Sequence, residues 1–248
     1  MCTVFIDLDR SRPWPVLLAG VRDEFADRPW SPPAAYWPAL GAQVLGGRDD
    51  VAGGTWLAVD TAAPVVAVVL NQQPVPRDAE ATVSRGTLPL RALRSLDLDP
   101  EPYAGFHLLR CSLDSAVLLS WDGETLDRRE LADGRHIVSS LGADNLEHPR
   151  VSHTMPAFRA LGGTTPEPGL ATAAAWGGWL DLLAGGGLPG DDDRAILVDR
   201  EHEGRRYATG SVSLVALSAD GRVRYDFTTD PREPDSWRPV PLVPDGRG

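Results

Sequence analysis

The chain has 248 residues, 42% hydrophobic and 24% charged, with 25 Gly and 22 Pro, which describes a folded globular protein of one large or two small domains and excludes a fibre or a disordered tail. Its net charge is −11 and all 24 basic residues are arginine. Such a field repels phosphate backbones, and no basic stripe with interleaved aromatics offsets it, so nucleic acid is not an expected partner. Two cysteines, Cys2 and Cys111, are too few for a disulfide framework and suit a reducing compartment. The start turns acidic within a few residues without a basic leader, and the apolar stretches are too short or too broken to span a bilayer. A cytoplasmic protein without a membrane span is expected.

In chain order, residues 3–6 and 16–19 read as strands joined by a Pro-containing turn. The polar, Pro-rich stretch 20–33 has no sustained period and predicts a loop, well placed after a core strand to carry a site. Residues 55–59 look like a strand, and the run "APVVAVVLNQ" predicts a strand buried on both faces that ends at Asn71. Leu88, Leu90, Leu93 and Leu96 suit a short helix. Two strands flanking a turn at Asp114-Ser115 follow, then a tight turn at Asp122-Gly123 and a strand over 125–129. "GRHIVSSLG" reads as a strand and loop, and 170–183 as a helix with Trp176, Trp179 and Leu183 at helical spacing. "PGDDDR" is a solvated acidic loop. A hairpin turns at Asp220-Gly221, with Val212, Leu214 and Ala216 facing inward together with Val223, Tyr225 and Phe227. The pattern is α+β, either two packed sheets or one large antiparallel sheet covered by helices. A single domain over 1–248 is expected, with a proline-rich tail from about 229 to 248 draped over the body.

Cys2 is the first residue with chemistry in view. If the initiator Met1 is trimmed, Cys2 holds both a thiol and an α-amine, whose ordinary pKa values lie near 8.5 and near 7.7–8.0. One residue then supplies nucleophile and base. The plain alternative is a cysteine that happens to follow the initiator. In Arg22-Asp23-Glu24-Phe25 a carboxylate can orient the amine, and an arginine can hold a substrate carboxylate or stabilise a thiolate; otherwise the segment is a charged surface loop. Gly53-Gly54-Thr55-Trp56 lacks the spacing of a phosphate loop and reads as a glycine bulge feeding a strand, with Trp56 on the core or roofing a pocket. Asn71 can donate to an oxyanion or cap its strand. His107, His136, His148, His153 and His202 show no metal-ligand spacing. His107 and Cys111 read as core residues.

Taken together, Met1-Cys2-Thr3, Arg22-Asp23-Glu24-Phe25, Arg28-Pro29, Gly53 to Leu57, Leu70-Asn71, Arg85-Gly86 and Tyr103-Ala104-Gly105-Phe106-His107-Leu108 resemble the NRDE family, also called transport-and-Golgi-organisation-like. The resemblance implies an N-terminal-nucleophile-hydrolase fold, a four-layer α/β/β/α sandwich with two stacked, mostly antiparallel sheets. It also implies an amidohydrolase acting on a linear C–N bond, with Cys2 attacking, Arg22 and Asp23 around it and Asn71 in the oxyanion hole. Glu24, Trp56, Ser139 and Ser140 would line the substrate pocket. The chain departs from the family pattern where Val21 replaces the first Asn, Ser140 replaces a late Asn, and Gly210 replaces an arginine. No cofactor is expected in this reading. A eukaryotic branch of the family implies an alternative, a non-catalytic protein that binds or traffics haem or another small ligand, with His107, His136 or Cys2 as haem ligand. The expected partners are a small-molecule substrate or ligand and, in assembly, a second copy as a homodimer.

Overall fold

The structure, a computed structural model, describes residues 2–73 and 83–242; Met1 and the end of the proline-rich tail, 243–248, lie outside them. In chain order the first strands are β1 (Thr3–Leu8), β2 (Val16–Phe25), β3 (Trp30–Ala34), β4 (Val44–Asp49), β5 (Leu57–Asp60) and β6 (Val65–Asn71). After helix α1 (Leu88–Ala92) come β7 (Phe106–Ser112), β8 (Ala116–Trp121), β9 (Leu126–Glu130), β10 (Gly134–Ser139) and β11 (Gly142–Ala143). Helices α2 (Pro149–Arg159), α3 (Thr172–Trp176) and α4 (Gly178–Leu183) precede β12 (Asp199–His202), β13 (Arg205–Leu217), β14 (Val223–Thr228) and β15 (Arg238–Pro239).

The strands form two antiparallel sheets. One has the order β11-β10-β1-β2-β13-β14-β15, with β12 also pairing on β13; the other is the meander β3-β4-β5-β6-β7-β8-β9. Side-chain alternation divides burial between the two faces of the first sheet. Val4, Ile6, Leu18 and Val215 pack against Leu57, Val66 and Leu109 of the second sheet. Phe5, Leu17, Ala19 and Leu214 pack instead against Met155, Phe158, Trp176 and Trp179 of the helices. The far face of the second sheet buries Ala67, Leu108 and Val117 against Leu88 and Ala92 of α1. No described helix is long and apolar enough to cross a membrane.

Three sequence expectations change, and one helix carries no sequence signal. The stretch 20–33 is no loop: β2 runs on to Phe25 and β3 begins at Trp30. Arg22 and Asp23 are only 4% and 3% exposed, because each finds a buried partner and polar residues can then continue a core strand. The helix over 170–183 is broken at Gly177, whose φ of 50° leaves the helical region between α3 and α4. Helix α2 has no apolar period to announce it; a proline starts it, Pro156 sits inside it, and its buried face includes Arg150 and Thr154. The hairpin forms as expected, but its two apolar sets face opposite ways: Val212, Leu214 and Ala216 lie under the helices, whereas Val223 and Tyr225 lie between the sheets. The register pairs Val215 with Tyr225 and Leu214 with Asp226, and a sheet covered on both faces accepts apolar residues at both parities.

Candidate functional site

The backbone ladder sets the neighbours of Cys2. β1 pairs Thr3 with Val21, and β2 pairs Arg22 with Ser211 and Asp23 with Thr209. Carried one residue past Thr3, this register sets Cys2 across from Arg22. Alternation along β2 then separates two adjacent charges. Arg22 turns to the inter-sheet side, its guanidinium 4.4 Å from the Trp56 ring centroid and 5.7 Å from that of Trp30. Asp23 turns to the helix side, where Arg150 Nη1 lies 2.9 Å from its Oδ2 and also donates to Thr3 Oγ1 at 2.7 Å.

The bulge in β13 completes this arrangement. The β2–β13 register shifts between Thr209 and Ser211, so Thr209 changes face and donates from Oγ1 to Asp23 Oδ1 at 2.6 Å. Tyr207 donates to the Asp23 carbonyl at 2.8 Å, and the Cys2 Sγ lies 3.9 Å from the same oxygen. A Cβ on the bulged Gly210 would stand 3.4 Å from Arg22 Nη1. An arginine there, as in the family pattern, would crowd a second guanidinium against Arg22.

The two sheets part at this end around a cavity of about 570 Å³ whose walls include Cys2, Arg22, Asp23, Glu24, Trp56 and Asn71. Trp56 reaches it because β4 carries glycine: a Cβ on Gly47 would fall 2.3 Å from the Trp56 ring. The Gly-Gly-Thr-Trp and Arg-Gly motifs meet on this wall. Thr55 N–H donates to the Gly86 carbonyl at 2.8 Å, and a Cβ on Gly54 would fall 2.4 Å from Gly86 backbone atoms. That close approach carries Arg85 into the cavity wall.

Charges around the cavity are mostly neutralised in pairs. Arg22 lies 3.9 Å from Glu24, Arg28 lies 2.6 Å from Asp49, and Arg205 lies 2.5 Å from Asp27. Burial pushes the Cys2 thiol above its ordinary pKa, and the Asp23 carboxylate adds to the effect. Burial pushes Cys111, wholly enclosed in the inter-sheet core, up to about 12. Asn71 stands at the end of β6, and its side-chain amide has no hydrogen-bond partner among the described residues.

Six of the eight residues expected from the sequence thus share one cavity. Ser139 and Ser140 stand apart from its walls as described, both buried at the end of β10. The Ser139 hydroxyl accepts from Leu141 N–H at 3.2 Å, and the Ser140 carbonyl accepts from Gln73 N–H at 2.9 Å. His107 is a hydrogen-bonded core residue: Nε2 donates to the Ser140 carbonyl at 3.2 Å, which leaves Nδ1 to accept from Ser120 at 2.8 Å. His136 has both ring nitrogens engaged as well, with Asp144 at 2.7 Å and the Ala132 carbonyl at 3.0 Å. Neither histidine presents a ready haem ligand. No group of His, Cys, Asp or Glu able to hold a metal occurs among the described residues.

Sequence reasoning missed Arg150, Thr209 and Tyr207. Arg150 comes from a helix without a legible apolar stripe, 127 residues from the carboxylate it serves. The small Gly210, out of place in a long strand, was the one available sign of the bulge that brings in Thr209.

Residues 1–166 match the model of a family described as Transport and Golgi organisation 2. A search among curated proteins finds no significant match. Among solved structures the chain is similar to the Caenorhabditis elegans N-acylethanolamine-hydrolyzing acid amidase ortholog. The similarity has a TM-score of 0.51 at 9% identity and covers 97% of this chain and 100% of that one. At that identity the likeness concerns the fold.

Proposed function

Because this chain belongs to the Transport and Golgi organisation 2 family and its fold is similar to that of an N-terminal-nucleophile hydrolase, we propose that it is an N-terminal cysteine amidohydrolase that cleaves a linear C–N amide bond of a small molecule. In this reading its layers form the α/β/β/α sandwich of such enzymes. The observation that carries the proposal is the position of Cys2. It heads a central strand at the floor of a cavity, with Arg22 across the ladder and the Asp23 carbonyl beside its sulfur.

Removal of Met1 would leave the Cys2 α-amine as the base. A thiol whose pKa is raised by burial is not a resting thiolate, so its proton leaves as attack proceeds. The amine takes that proton while sulfur bonds to the substrate carbonyl carbon, and the Asn71 amide donates to the oxyanion. The C–N bond breaks and the leaving amine receives the proton. Water then attacks the thioester, releasing a carboxylic acid and restoring the thiol. The sum is amide plus water to acid plus amine. Arg150, Thr209 and Tyr207 hold Asp23 in place, which fixes the backbone turn beside the sulfur.

The test is intact mass of protein with an untagged N-terminus, before and after brief exposure to a small thiol electrophile near neutral pH, with Cys2→Ala as control. Loss of Met1 and a single adduct that forms well ahead of any on Cys111 and is absent from Cys2→Ala are expected. Retained Met1, or equal and slow labelling of both cysteines, would exclude the hydrolase mechanism and leave a non-catalytic small-ligand protein.

A further inference from the structure

The cavity beside Cys2 carries four guanidinium groups, and three are spoken for. Arg22, Arg28 and Arg205 face Glu24, Asp49 and Asp27 within 4 Å. Arg85 differs. Its Nη1 donates to the Gly105 carbonyl at 3.0 Å, and among the described residues it has neither a second hydrogen bond nor a carboxylate partner.

An incompletely paired guanidinium in a half-buried wall is costly, because it loses water without gaining an anion. Burial accordingly pushes the Arg85 pKa down from its ordinary value. The position is built rather than incidental: the close contact of Gly54 with the Gly86 backbone, which leaves no room for a side chain at Gly54, holds Arg85 against the cavity. A planar guanidinium with free N–H groups matches a carboxylate in a two-point contact.

We propose that Arg85 anchors a carboxylate of the substrate, so that the amide cleaved at Cys2 belongs to an N-acyl amino acid or a similar amide acid. This deepens the amidohydrolase reading and rests on it for the cleavage step, though not for the binding step. The molecule's net charge of −11 disfavours anions in general, so a preference for an acid over its amide must arise locally. The cavity, about 570 Å³, falls within the range of small-molecule sites.

The experiment measures binding without turnover. Full-length Cys2→Ala protein is titrated with N-hexanoylglycine and with its neutral primary amide, by calorimetry. The acid is expected to bind about tenfold or more tightly than the amide, the size of a charged hydrogen-bonded contact. Arg85→Gln should abolish that difference while leaving affinity for the amide unchanged, which also reports an intact cavity. Arg85→Lys should keep part of the acid preference. Equal affinity for acid and amide, no saturable binding of the acid, or equal loss of both ligands in Arg85→Gln would overturn the proposal. The cysteine-labelling experiment reads the nucleophile separately, so failure of one reading is not mistaken for failure of the other.

Discussion

Arg150 and Asp23 form an ion pair beneath Cys2, with 2.9 Å between Nη1 and Oδ2 and only 3% and 0% of their side chains exposed. The pair joins helix α2 to the central strand β2 and links both to Thr3 at the head of β1. A charge this deeply enclosed is tolerated only with its partner present.

Truncating one partner should therefore cost more than a surface mutation. Arg150→Met is expected to lower unfolding free energy by about 3–5 kcal/mol, since it removes the guanidinium that neutralises the buried Asp23 carboxylate. The double variant Arg150→Met with Asp23→Asn should recover part of that loss. Urea denaturation of the three proteins measures both quantities, and an additive double variant would show that the pair contributes little.

The two thiols should differ sharply in reactivity. Cys111 is fully buried with a pKa near 12, so native protein should leave it unlabelled until denaturant is added. Cys2 opens on the cavity but has a raised pKa. With a simple alkylating agent its rate should keep rising as pH passes the ordinary thiol range near 8.5. Stopped-time mass spectrometry across a pH series gives the profile; a plateau reached near neutrality would mean a resting thiolate.

His136 and Asp144 give a pH-dependent contribution to stability away from the cavity. The hydrogen bond that His136 Nδ1 donates to the Asp144 carboxylate raises the His136 pKa, and burial opposes it only in part. A group whose folded pKa is raised stabilises fully below its unfolded value, near 6.5, and loses that contribution as pH rises through the folded value. His136→Gln should thus destabilise by about 1 kcal/mol at pH near 5.5 and by less at pH near 8.5. Denaturation midpoints at the two pH values decide it, and a larger loss at the alkaline value would reverse the sign argued here.

Gly54 offers a test of how the cavity wall is built. An alanine there would bring a Cβ to 2.4 Å from the Gly86 backbone, which has no flexible end to yield. Gly54→Ala should cost about 1–3 kcal/mol by overpacking and displace Arg85. Gly53→Ala meets no neighbour within 4 Å but strains a φ of 73°, so it should destabilise without disturbing ligand binding. Thermal melts combined with N-hexanoylglycine titration separate the two effects.

Local signals carried a good part of the fold. The continuous apolar run of 65–71 and the turns at Asp122-Gly123 and Asp220-Gly221 need only neighbouring residues to be read. The motif residues Cys2, Arg22, Asp23 and Asn71 were legible as types suited to one chemistry, and they do converge on one cavity. The break at Gly177 was not legible, because apolar spacing continues across it while one backbone angle ends the helix.

By itself, then, the sequence determined which segments extend and which residue types gather around Cys2, since period and turn chemistry are local properties. Tertiary structure alone decided that Arg22 and Asp23, adjacent in the chain, serve opposite faces. It decided that Arg150 neutralises Asp23, that a bulge at Gly210 delivers Thr209, and that Arg85 is left to face the cavity. Those outcomes depend on strand register and on partners far apart in the chain, and a buried charge is settled only by what the fold brings against it.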